Sequence, residues 1–329
     1  MNTENKVACI TGITGQVGSY LAEILLQQNY KVFGIKRRSS SLNTERLNHI
    51  FSNKNLIVRY GDVCDYSSIA NLVSEIKPDI FINCAAQSHV KVSFDIPIYT
   101  FDATGASVVN CLEAIKIHSP KTRFITMSSS EMFGSSPPPQ NENTLFHPRS
   151  IYAVAKLAGY YATINYREAY GLHCSNAICF NTESPRRGET FVTRKITRAA
   201  TRIRVGLQDK LFLGNIKAQR DWSHAIDTAD AILRIVNAKT PNDYVIASEE
   251  MHSVEDFAKI VFDKLDLDYK KYVEIDPHYY RPSEVDALCG DASKIKTELG
   301  WKSNYSFEQL VDEMVNSDLE LAKKEKLIK

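Results

Sequence analysis

The amino-acid sequence predicts an α/β protein with a Rossmann-type doubly wound parallel sheet and a smaller C-terminal α/β substrate domain. Three observations support this prediction. Short apolar runs alternate with longer amphipathic runs through the first half of the 329 residues. The apolar runs lack the alternation of half-exposed strands, which indicates burial on both faces of a sheet. A glycine-rich turn follows the first run and opens a helix, as in dinucleotide-binding sheets.

The elements of the first half follow one another in regular order. Strands are expected at 6–10, 31–35, 56–60, 80–83, 123–127 and 174–180. Helices are expected from the glycine turn to about 28, then at 67–76, 99–117 and 150–170. Strands that alternate with helices in this way form a parallel sheet that is covered on both faces.

A change of composition after Asn181 predicts a second domain. We expect residues 1–181 to form the nucleotide-binding domain and 182–329 to form mainly the substrate domain. The chain is expected to return to the first domain near 224–247, where helix and strand patterns resume. Ser253 and Asp256 have the spacing of an N-terminal cap for a helix beginning at Val254. The serine- and proline-rich run 135–144 is expected to be a surface loop near the site.

Charge and cysteine content restrict the possible functions. With 40 basic and 39 acidic residues the net charge is +1, so no global signature of nucleic-acid or anionic-membrane binding is present. The seven cysteines lack CxxC spacing, which favours a reducing compartment and predicts no metal site. No run approaches the roughly 20 apolar residues that cross a bilayer. A strand-like segment begins too early for a signal peptide, so a cytoplasmic location is expected.

The turn after the first strand has the pattern of a dinucleotide site, GITGQVG at 12–18. Glycines let the backbone turn tightly and approach a pyrophosphate, which then lies on free N–H groups at the helix start. A plain glycine-rich turn is the alternative. The residues expected to bind the cofactor here are Gly12, Thr14, Gly15, Gln16, Val17 and Gly18.

The end of the second strand indicates which cofactor binds. NAD enzymes usually place an acidic residue there for the ribose hydroxyls, whereas this chain has IKRRSS at 35–40. Guanidinium and hydroxyl groups suit a 2′-phosphate. NADP is therefore expected, although a solvated basic loop is the alternative. The residues expected to recognise the phosphate are Arg37, Arg38, Ser39 and Ser40.

Two further strand ends are candidates for the same site. Asp62 and Val63 follow the third strand, where a carboxylate could accept a hydrogen bond from the adenine amine; a structural turn is almost as consistent. The next strand ends in NCAAQ at 83–87, where two alanines leave room for a dinucleotide against the backbone. The expected cofactor residues of this segment are Cys84, Ala85, Ala86, Gln87 and Ser88.

A tyrosine and a lysine four residues apart are the catalytic candidates. Tyr152 and Lys156 project from one face of a predicted helix. A nearby ammonium is expected to lower the pKa of the phenol, making it a usable general base. Upstream, Ser129 and Glu131 close a strand; if the extended geometry persists, their side chains point the same way. The hydroxyl could then share a substrate alcohol with Tyr152, and the carboxylate could reach an adjacent carbon.

Seven motifs along the chain identify a family resemblance: GITGQVGSYLAE, NCAAQSHVKVSF, SSSEMFG, YAVAK, NTESPRRGETFVTRKI, RDWSHAID and RPSEVDALCGD. By these motifs the chain resembles the GDP-mannose 4,6-dehydratases of the extended short-chain dehydrogenase/reductase superfamily, over roughly 7–315. The ESPRRGETFVTRK block is particularly diagnostic, because simple epimerases and dTDP-glucose dehydratases differ there.

The resemblance implies a redox-neutral cycle. Tyr152 would take the proton from the sugar O4 while hydride leaves C4 for NADP⁺, and Lys156 would support the phenolate and bind the nicotinamide ribose. Glu131 would remove the C5 proton and assist loss of water from C6, to which the hydride returns. Ser129 stands where the family usually has threonine. The product would be a GDP-4-keto-6-deoxy sugar.

The resemblance also extends the predicted site and implies a homotetramer, with a dimer as fallback. The tetramer contact would involve the Arg-Arg-Ser-Ser segment and the loop at 41–46. Further cofactor residues implied are Tyr99, Lys156, Thr182 and Arg187. The implied substrate residues are Ser88, Ser129, Glu131, Tyr152, Asn181, Lys195, Arg220, Arg281 and Glu284.

Three residues depart from the family pattern, and alternatives stay open. Val17 stands for an aspartate, Thr182 for a histidine near the nicotinamide, and Ser223 for a glycine. GDP-mannose is the favoured substrate, with GDP-D-glycero-D-manno-heptose as the alternative. A C4 epimerase or 4-dehydrogenase would not need Glu131, and a catalytically silent NADP-sensing protein would typically lose the tyrosine or the lysine.

Overall fold

A seven-stranded parallel sheet forms the centre of the computed structural model, which describes residues 6–328. The strand order is β10-β6-β5-β4-β1-β2-β3, so the chain starts in the middle and winds outward in both directions. This order confirms the expected Rossmann-type α/β class. The strands are β1 (Val7–Thr11), β2 (Lys31–Lys36), β3 (Leu56–Tyr60), β4 (Ile80–Asn83), β5 (Arg123–Ser129), β6 (Cys174–Cys179), β7 (Asn181–Glu183), β8 (Leu211–Leu213), β9 (Gln219–His224), β10 (Asp243–Ile246), β11 (Met251–Ser253), β12 (Val273–Ile275) and β13 (Ala287–Leu288).

Helices cover both faces of this sheet and build most of the remaining chain. Ser253 caps α9 as expected, since its hydroxyl accepts from the Asp256 N–H and the Asp256 carboxylate accepts from the Ser253 N–H. The helices are α1 (Gln16–Gln27), α2 (Tyr66–Ile76), α3 (Val92–Asp95), α4 (Pro97–Phe101), α5 (Ser107–His118), α6 (Ile151–Tyr170), α7 (Val192–Arg204), α8 (Ala225–Asn237), α9 (Val254–Asp263), α10 (Tyr269–Tyr272), α11 (Ser293–Leu299) and α12 (Phe307–Ile328).

Residues of the central strands alternate between two buried cores. Cys9 and Phe81 belong to the core under α2 and α5, whereas Ala8 and Ile82 belong to the core under α1 and α8. Both faces are therefore apolar, which explains why the strands show no alternation of apolar and polar residues. A third core joins α7, α9 and α12, and it is separate from the sheet.

The helix expected at 99–117 is interrupted. The structure has α4, then a π-helical turn at Asp102–Ala106, then α5. The turn places Gly105 against α6, where a Cβ on Gly105 would lie only 2.8 Å from the Ala155 carbonyl oxygen. Local periodicity cannot reveal this close helix contact, which positions the helix that carries Tyr152 and Lys156.

The loop at 135–144 contributes no residue to the lining of the main cavity and packs against a segment that is distant in sequence. Its Gln140 is fully buried: the backbone N–H donates to the Cys289 carbonyl at 2.8 Å, and the side-chain oxygen accepts from the Cys289 N–H at 3.0 Å. These bonds dock the loop onto a distant segment. Between residues 6 and 328, no helix is both long and apolar enough to span a membrane.

Candidate active site

A cleft with a cavity volume of about 990 Å³ lies at the carboxyl ends of the sheet strands. Gly12 follows β1, Asp62 follows β3, Cys84 follows β4 and Ser129 ends β5, and all four line it. Ligands of open α/β sheets bind at this edge, near the point where the strand order reverses. The opposite wall comes from β7, α7 and the segments around residues 213–220 and 278–284.

Gly12 and Gly18 of the glycine turn lie too close to neighbouring backbone to carry side chains. Gly12 has a φ of +66°, and a Cβ there would lie 3.0 Å from the Ala85 backbone nitrogen. A Cβ on Gly18 would overlap the Gly12 carbonyl oxygen. Gly15 is the N-cap residue of α1 and has no side chain to cap it, so N–H groups at the helix start face the cleft. All six residues predicted from this turn line the cavity.

Gln16 joins this turn to β7. Its side-chain nitrogen donates to the Thr182 carbonyl at 2.8 Å, and its side-chain oxygen accepts from the Ser184 hydroxyl at 2.7 Å. The Thr182 hydroxyl lies 3.2 Å from that of Thr228. Both Gln16 and Thr182 line the cleft, as predicted, but their amide and hydroxyl groups are already engaged within the chain.

The basic segment after β2 is divided between cleft and surface. Arg37 lines the cleft and donates to the Tyr99 hydroxyl at 2.8 Å. Arg38, Ser39 and Ser40 are exposed and lie outside the cavity wall. The Arg38 guanidinium donates to the Ser39 carbonyl.

Strand ends β3 and β4 contribute as expected, with one exception. Asp62 and Val63 line the cleft, and the Asp62 carboxylate also accepts from the Cys64 N–H at 3.0 Å, as in a structural turn. Cys84, Ala85, Ala86 and Ser88 line it too. Gln87 does not, because its side chain turns inward, donating to Thr100 at 3.0 Å and accepting from the His89 N–H at 2.8 Å.

Tyr152 and Lys156 face the cleft together from the first turns of α6. The Ser150 hydroxyl caps this helix by accepting from the Ala153 N–H at 3.1 Å, which fixes where the helix begins. Lys156 Nζ donates to the Met127 carbonyl and lies 5.9 Å from the centre of the Tyr152 ring. Both side chains are buried.

The expected pKa of Tyr152 is wrong in sign. Burial raises its pKa to about 12, and the Glu131 charge adds to this; the Ser129 hydroxyl and the Arg187 charge lower it. Burial lowers the pKa of Lys156 to about 8, against the opposing influence of Cys179 and Cys84. Desolvation disfavours the charged form of each group. For Tyr152 it raises the pKa by more than Ser129 and Arg187 lower it.

Ser129 and Glu131 reach the cleft by a different geometry from the one predicted. The extended strand ends at Ser129, and Glu131 lies in a 3₁₀ turn at Ser130–Met132. The Ser129 hydroxyl accepts from the Glu131 N–H at 3.2 Å, which stabilises this turn. The carboxylate faces Arg281, whose guanidinium lies 3.4 Å away. Both residues line the cavity.

Cationic side chains dominate the wall opposite the sheet. Arg220 is buried, which lowers its pKa, whereas the Glu131 charge raises it. The Arg281 N–H donates to the Glu284 carboxylate at 2.8 Å. Lys195 Nζ lies 3.4 Å from the centre of the Tyr279 ring, and burial lowers its pKa. The predicted substrate residues from this wall all line the cavity: Asn181, Lys195, Arg220, Arg281 and Glu284.

Some cleft residues were not predicted from the sequence. His89 and Lys91, in the segment between β4 and α3, line the cavity, and the SHVKVSF motif that contains them was the signal available for them. Phe191, which lies 3.7 Å from the Arg187 guanidinium, and Tyr279 have no local signal. Two of the residues that depart from the family pattern lie as follows in the structure. Val17 lines the cleft, and the Ser223 hydroxyl is buried without a hydrogen-bond partner among residues 6–328.

Comparison with known proteins assigns the chain to a family. The sequence profile described as GDP-mannose 4,6 dehydratase matches residues 9–314. The chain belongs to the GDP-mannose 4,6-dehydratase family. This confirms the predicted resemblance, and the match includes the glycine turn, Glu131, Tyr152 and the 181–195 block.

Curated relatives resemble the chain over nearly its full length. GDP-mannose 4,6 dehydratase 1 of Arabidopsis thaliana is 54% identical, over 98% of this chain and 92% of the relative. GDP-mannose 4,6-dehydratase of Sinorhizobium fredii is 46% identical, over 96% and 97%. Both relatives are named for the same reaction class, the 4,6-dehydration of a nucleotide sugar.

Solved structures show the same fold at low identity. A dTDP-glucose 4,6-dehydratase from Bacillus anthracis in complex with NAD has a TM-score of 0.85 at 22% identity, covering 98% of this chain and all of the other. A UDP-glucose 4-epimerase from Thermotoga maritima with UDP-glucose has a TM-score of 0.84 at 21% identity, covering 98% and 100%. These likenesses establish the α/β architecture of the chain.

Proposed function

We propose that this protein is an NADP-dependent GDP-mannose 4,6-dehydratase that forms the GDP-4-keto-6-deoxy sugar. The observation that carries the proposal is the carboxylate of Glu131 in the same cleft as Tyr152, Lys156 and Ser129. Oxidation at C4 needs only the tyrosine and lysine. A second acid–base group is needed to move a proton from C5 and release water from C6.

Three features of the cleft support NADP as the cofactor. Gly12 and Gly18 let the backbone of the turn approach a ligand closely. The uncapped start of α1 offers N–H donors to a pyrophosphate. Arg37 lines the cavity at the end of β2, and no acidic residue follows that strand through residue 40. When bound, NADP⁺ supplies the hydride acceptor for C4 oxidation and the donor for return to C6.

Tyr152 acts first, as the base that takes the proton from the sugar O4. The Ser129 hydroxyl and the Arg187 charge both lower the pKa of the phenol, so they stabilise the phenolate against the effect of burial. Lys156 is held by the Met127 carbonyl and presents its remaining N–H groups to the cleft. These residues orient the substrate alcohol and hold the proton removed from it.

Glu131 acts second. The 4-keto group acidifies the C5 proton, which the carboxylate accepts and then delivers to the departing C6 hydroxyl. The 3₁₀ turn that begins after Ser129 fixes Glu131 two residues from the hydroxyl that binds O4. Arg281 at 3.4 Å provides a positive charge beside the carboxylate. Glu131 therefore serves as base and then acid. When hydride returns to C6, C5 takes up one proton, which balances the proton that Tyr152 took from O4, so the cycle closes with no net change in protons.

The cationic wall is proposed to bind the GDP part of the substrate. Lys195, Arg220 and Arg281 supply three positive charges for a diphosphate. Glu284 is an acceptor for ribose or guanine donors. The side-chain oxygen of Asn181 is buried and has no hydrogen-bond partner among the described residues, so it is free to accept from a ligand.

Parallel incubations with GDP-mannose and GDP-D-glycero-D-manno-heptose test the proposal. The named relatives carry the GDP-mannose name, which favours mannose over the heptose. We expect loss of one water from GDP-mannose, measured by mass spectrometry, with NADP bound more tightly than NAD. Absence of water loss with both sugars would refute the dehydratase assignment. Tighter binding of NAD would refute the role of Arg37.

A homotetramer is the proposed assembly. The segment from Arg38 to Asn43 is exposed, and its Leu42 is 86% exposed although apolar. A single exposed leucine is ordinary at a protein surface, so support for this assembly comes from the family resemblance, which implies a subunit contact at this segment. Light scattering coupled to gel filtration should give the mass of four chains, falling toward that of two when Leu42 is replaced by lysine.

A further inference from the structure

The backbone turn that precedes Arg187 is held by two arginine side chains. Arg194 Nη1 donates to the carbonyls of Pro185 and Arg187, the latter at 2.9 Å. Arg46 Nε donates to the carbonyl between them, that of Arg186, at 2.7 Å. Three successive carbonyl oxygens therefore accept from side chains that come from different parts of the chain. We call residues 185–187 the carbonyl turn.

A buried aspartate anchors one of these arginines. The Nε of Arg194 lies 2.8 Å from both carboxylate oxygens of Asp318, and its Nη2 lies 2.7 Å from one of them. The Thr197 hydroxyl donates to the same carboxylate at 2.6 Å. Asp318 is fully buried on α12, beyond the residues that the family profile matches. The guanidinium thus spans the carboxylate on one side and the carbonyl turn on the other.

The second arginine connects the carbonyl turn to the glycine turn. Arg46 Nη1 donates to the Thr14 carbonyl at 3.2 Å. The Arg187 side chain, immediately after these anchored carbonyls, lines the cleft 3.2 Å from Glu183 and 3.7 Å from the centre of the Phe191 ring. The position of Arg187 relative to the glycine turn is therefore set by Arg46 and Arg194.

We propose that Asp318 is a positioning residue for the cofactor side of the cleft, acting through Arg194 and the carbonyl turn on Arg187. The inference rests on the proposed use of NADP. Without its carboxylate partner, the buried guanidinium of Arg194 must move to find another acceptor or water, and it then releases both carbonyls. Tyr152 and Lys156 are held by α6, so the catalytic groups keep their places while Arg187 loses its own.

Asp318→Asn is the direct test, with Asp312→Asn as its control. Asp312 lies on the same helix and forms a surface ion pair with Lys264. We expect the Kd of NADP, from isothermal titration calorimetry, and the KM for NADP to rise roughly tenfold in Asp318→Asn, as for loss of one charge-assisted hydrogen bond. At saturating NADP the kcat should fall by less than the Kd rises, because the Ser129 hydroxyl that also stabilises the Tyr152 phenolate is not disturbed. Asp312→Asn should match the wild type in all three.

Arg194→Lys covers the case in which Asp318→Asn does not fold. The lysine keeps a positive charge opposite Asp318 but cannot span the carboxylate and both carbonyls, so the same rise in Kd is expected. A folded variant with a lowered Tm and an unchanged Kd would overturn the proposal, since the ion pair would then be merely structural. An equal fall in kcat at unchanged KM would also overturn it.

Direct binding separates this inference from the proposed reaction. If the wild type binds NADP but dehydrates no GDP-sugar, the proposed function fails and the comparison of Kd values still decides the role of Asp318. If the wild type does not bind NADP, the positioning role is overturned together with the cofactor assignment.

Discussion

The two walls of the cleft are built on different principles. On the sheet side, functional residues lie at strand ends and helix starts, so nearby backbone positions them. The Ser150 hydroxyl, for example, caps α6 by accepting from the Ala153 N–H, and Tyr152 lies in that first turn. On the opposite side, side chains reach between distant segments. Asp221 accepts from the backbone N–H groups of Ser248 and Gly290, which are 27 and 69 positions away. One active site thus combines a locally encoded wall with one that exists only after long-range packing.

The largest expected effect comes from breaking such a long-range contact. Asp221 is fully buried and accepts from Ser248 N–H, Ser248 Oγ and the Glu249 and Gly290 N–H groups. An asparagine amide can replace only part of these acceptors. Asp221→Asn should lower the free energy of unfolding by about 3 kcal/mol, because buried donors lose their charged partner. Urea denaturation measures it.

An aspartate-to-asparagine substitution at a local helix cap, Asp65→Asn, provides the control. Asp65 caps α2 by accepting from the Ser67 N–H at 3.0 Å. Asparagine caps helices about as well as aspartate, so Asp65→Asn should change stability by only a few tenths of a kcal/mol. Equal losses in the two variants would contradict the distinction between the walls.

The sheet wall is easier to predict from the sequence than the opposite wall, because its signals are local. The turn at 12–18, Arg37 and the pair of Tyr152 and Lys156 can be recognised because each has a sequence signal confined to a few neighbouring residues, and each lines the cleft. Gln87, which was expected there, turns inward because Thr100 offers an acceptor that no local pattern reveals. Tyr279 was missed because its place depends on how a distant segment crosses the cleft.

A smaller effect is expected from the pH dependence of the buried lysine. The pKa of Lys156 is about 8 in the folded protein and ordinarily 10.5. Between these values the unfolded chain holds the proton and the folded chain does not, so this group makes stability rise with pH. Cys84 and Cys179 beside it have a pKa of about 12 and stay neutral in this window.

Lys156→Met removes this contribution. The free energy of unfolding of the wild type, relative to the variant, should increase by roughly 2 kcal/mol from pH 8 to pH 10. Denaturant titrations of both proteins at the two pH values provide the measurement. A difference that stays constant with pH would show that Lys156 keeps its ordinary pKa. The sequence alone suggested only the spacing of the pair, since burial depends on the packing of α6 under the complete fold.

The smallest effect concerns a local device outside the sheet. Ser253 caps α9 with Asp256 three residues later, and this reciprocal pair was predicted from the sequence. Ser253→Ala should cost about 1 kcal/mol of stability, and thermal unfolding followed by circular dichroism can measure it. A loss as large as that of Asp221→Asn would mean that local and long-range contacts do not differ as argued.

The Glu131→Gln variant separates oxidation at C4 from loss of water, and so tests whether Glu131 is the group that makes the protein a dehydratase. Its product and cofactor state should be followed after GDP-mannose is added to the NADP-loaded enzyme. Absorbance of reduced nicotinamide should appear, because Tyr152 and Lys156 are intact. Release of the 6-deoxy product should fall by roughly 10²- to 10⁴-fold, the usual contribution of one acid–base group. Turnover equal to that of the wild type would exclude Glu131 as the acid–base group for C5 and C6.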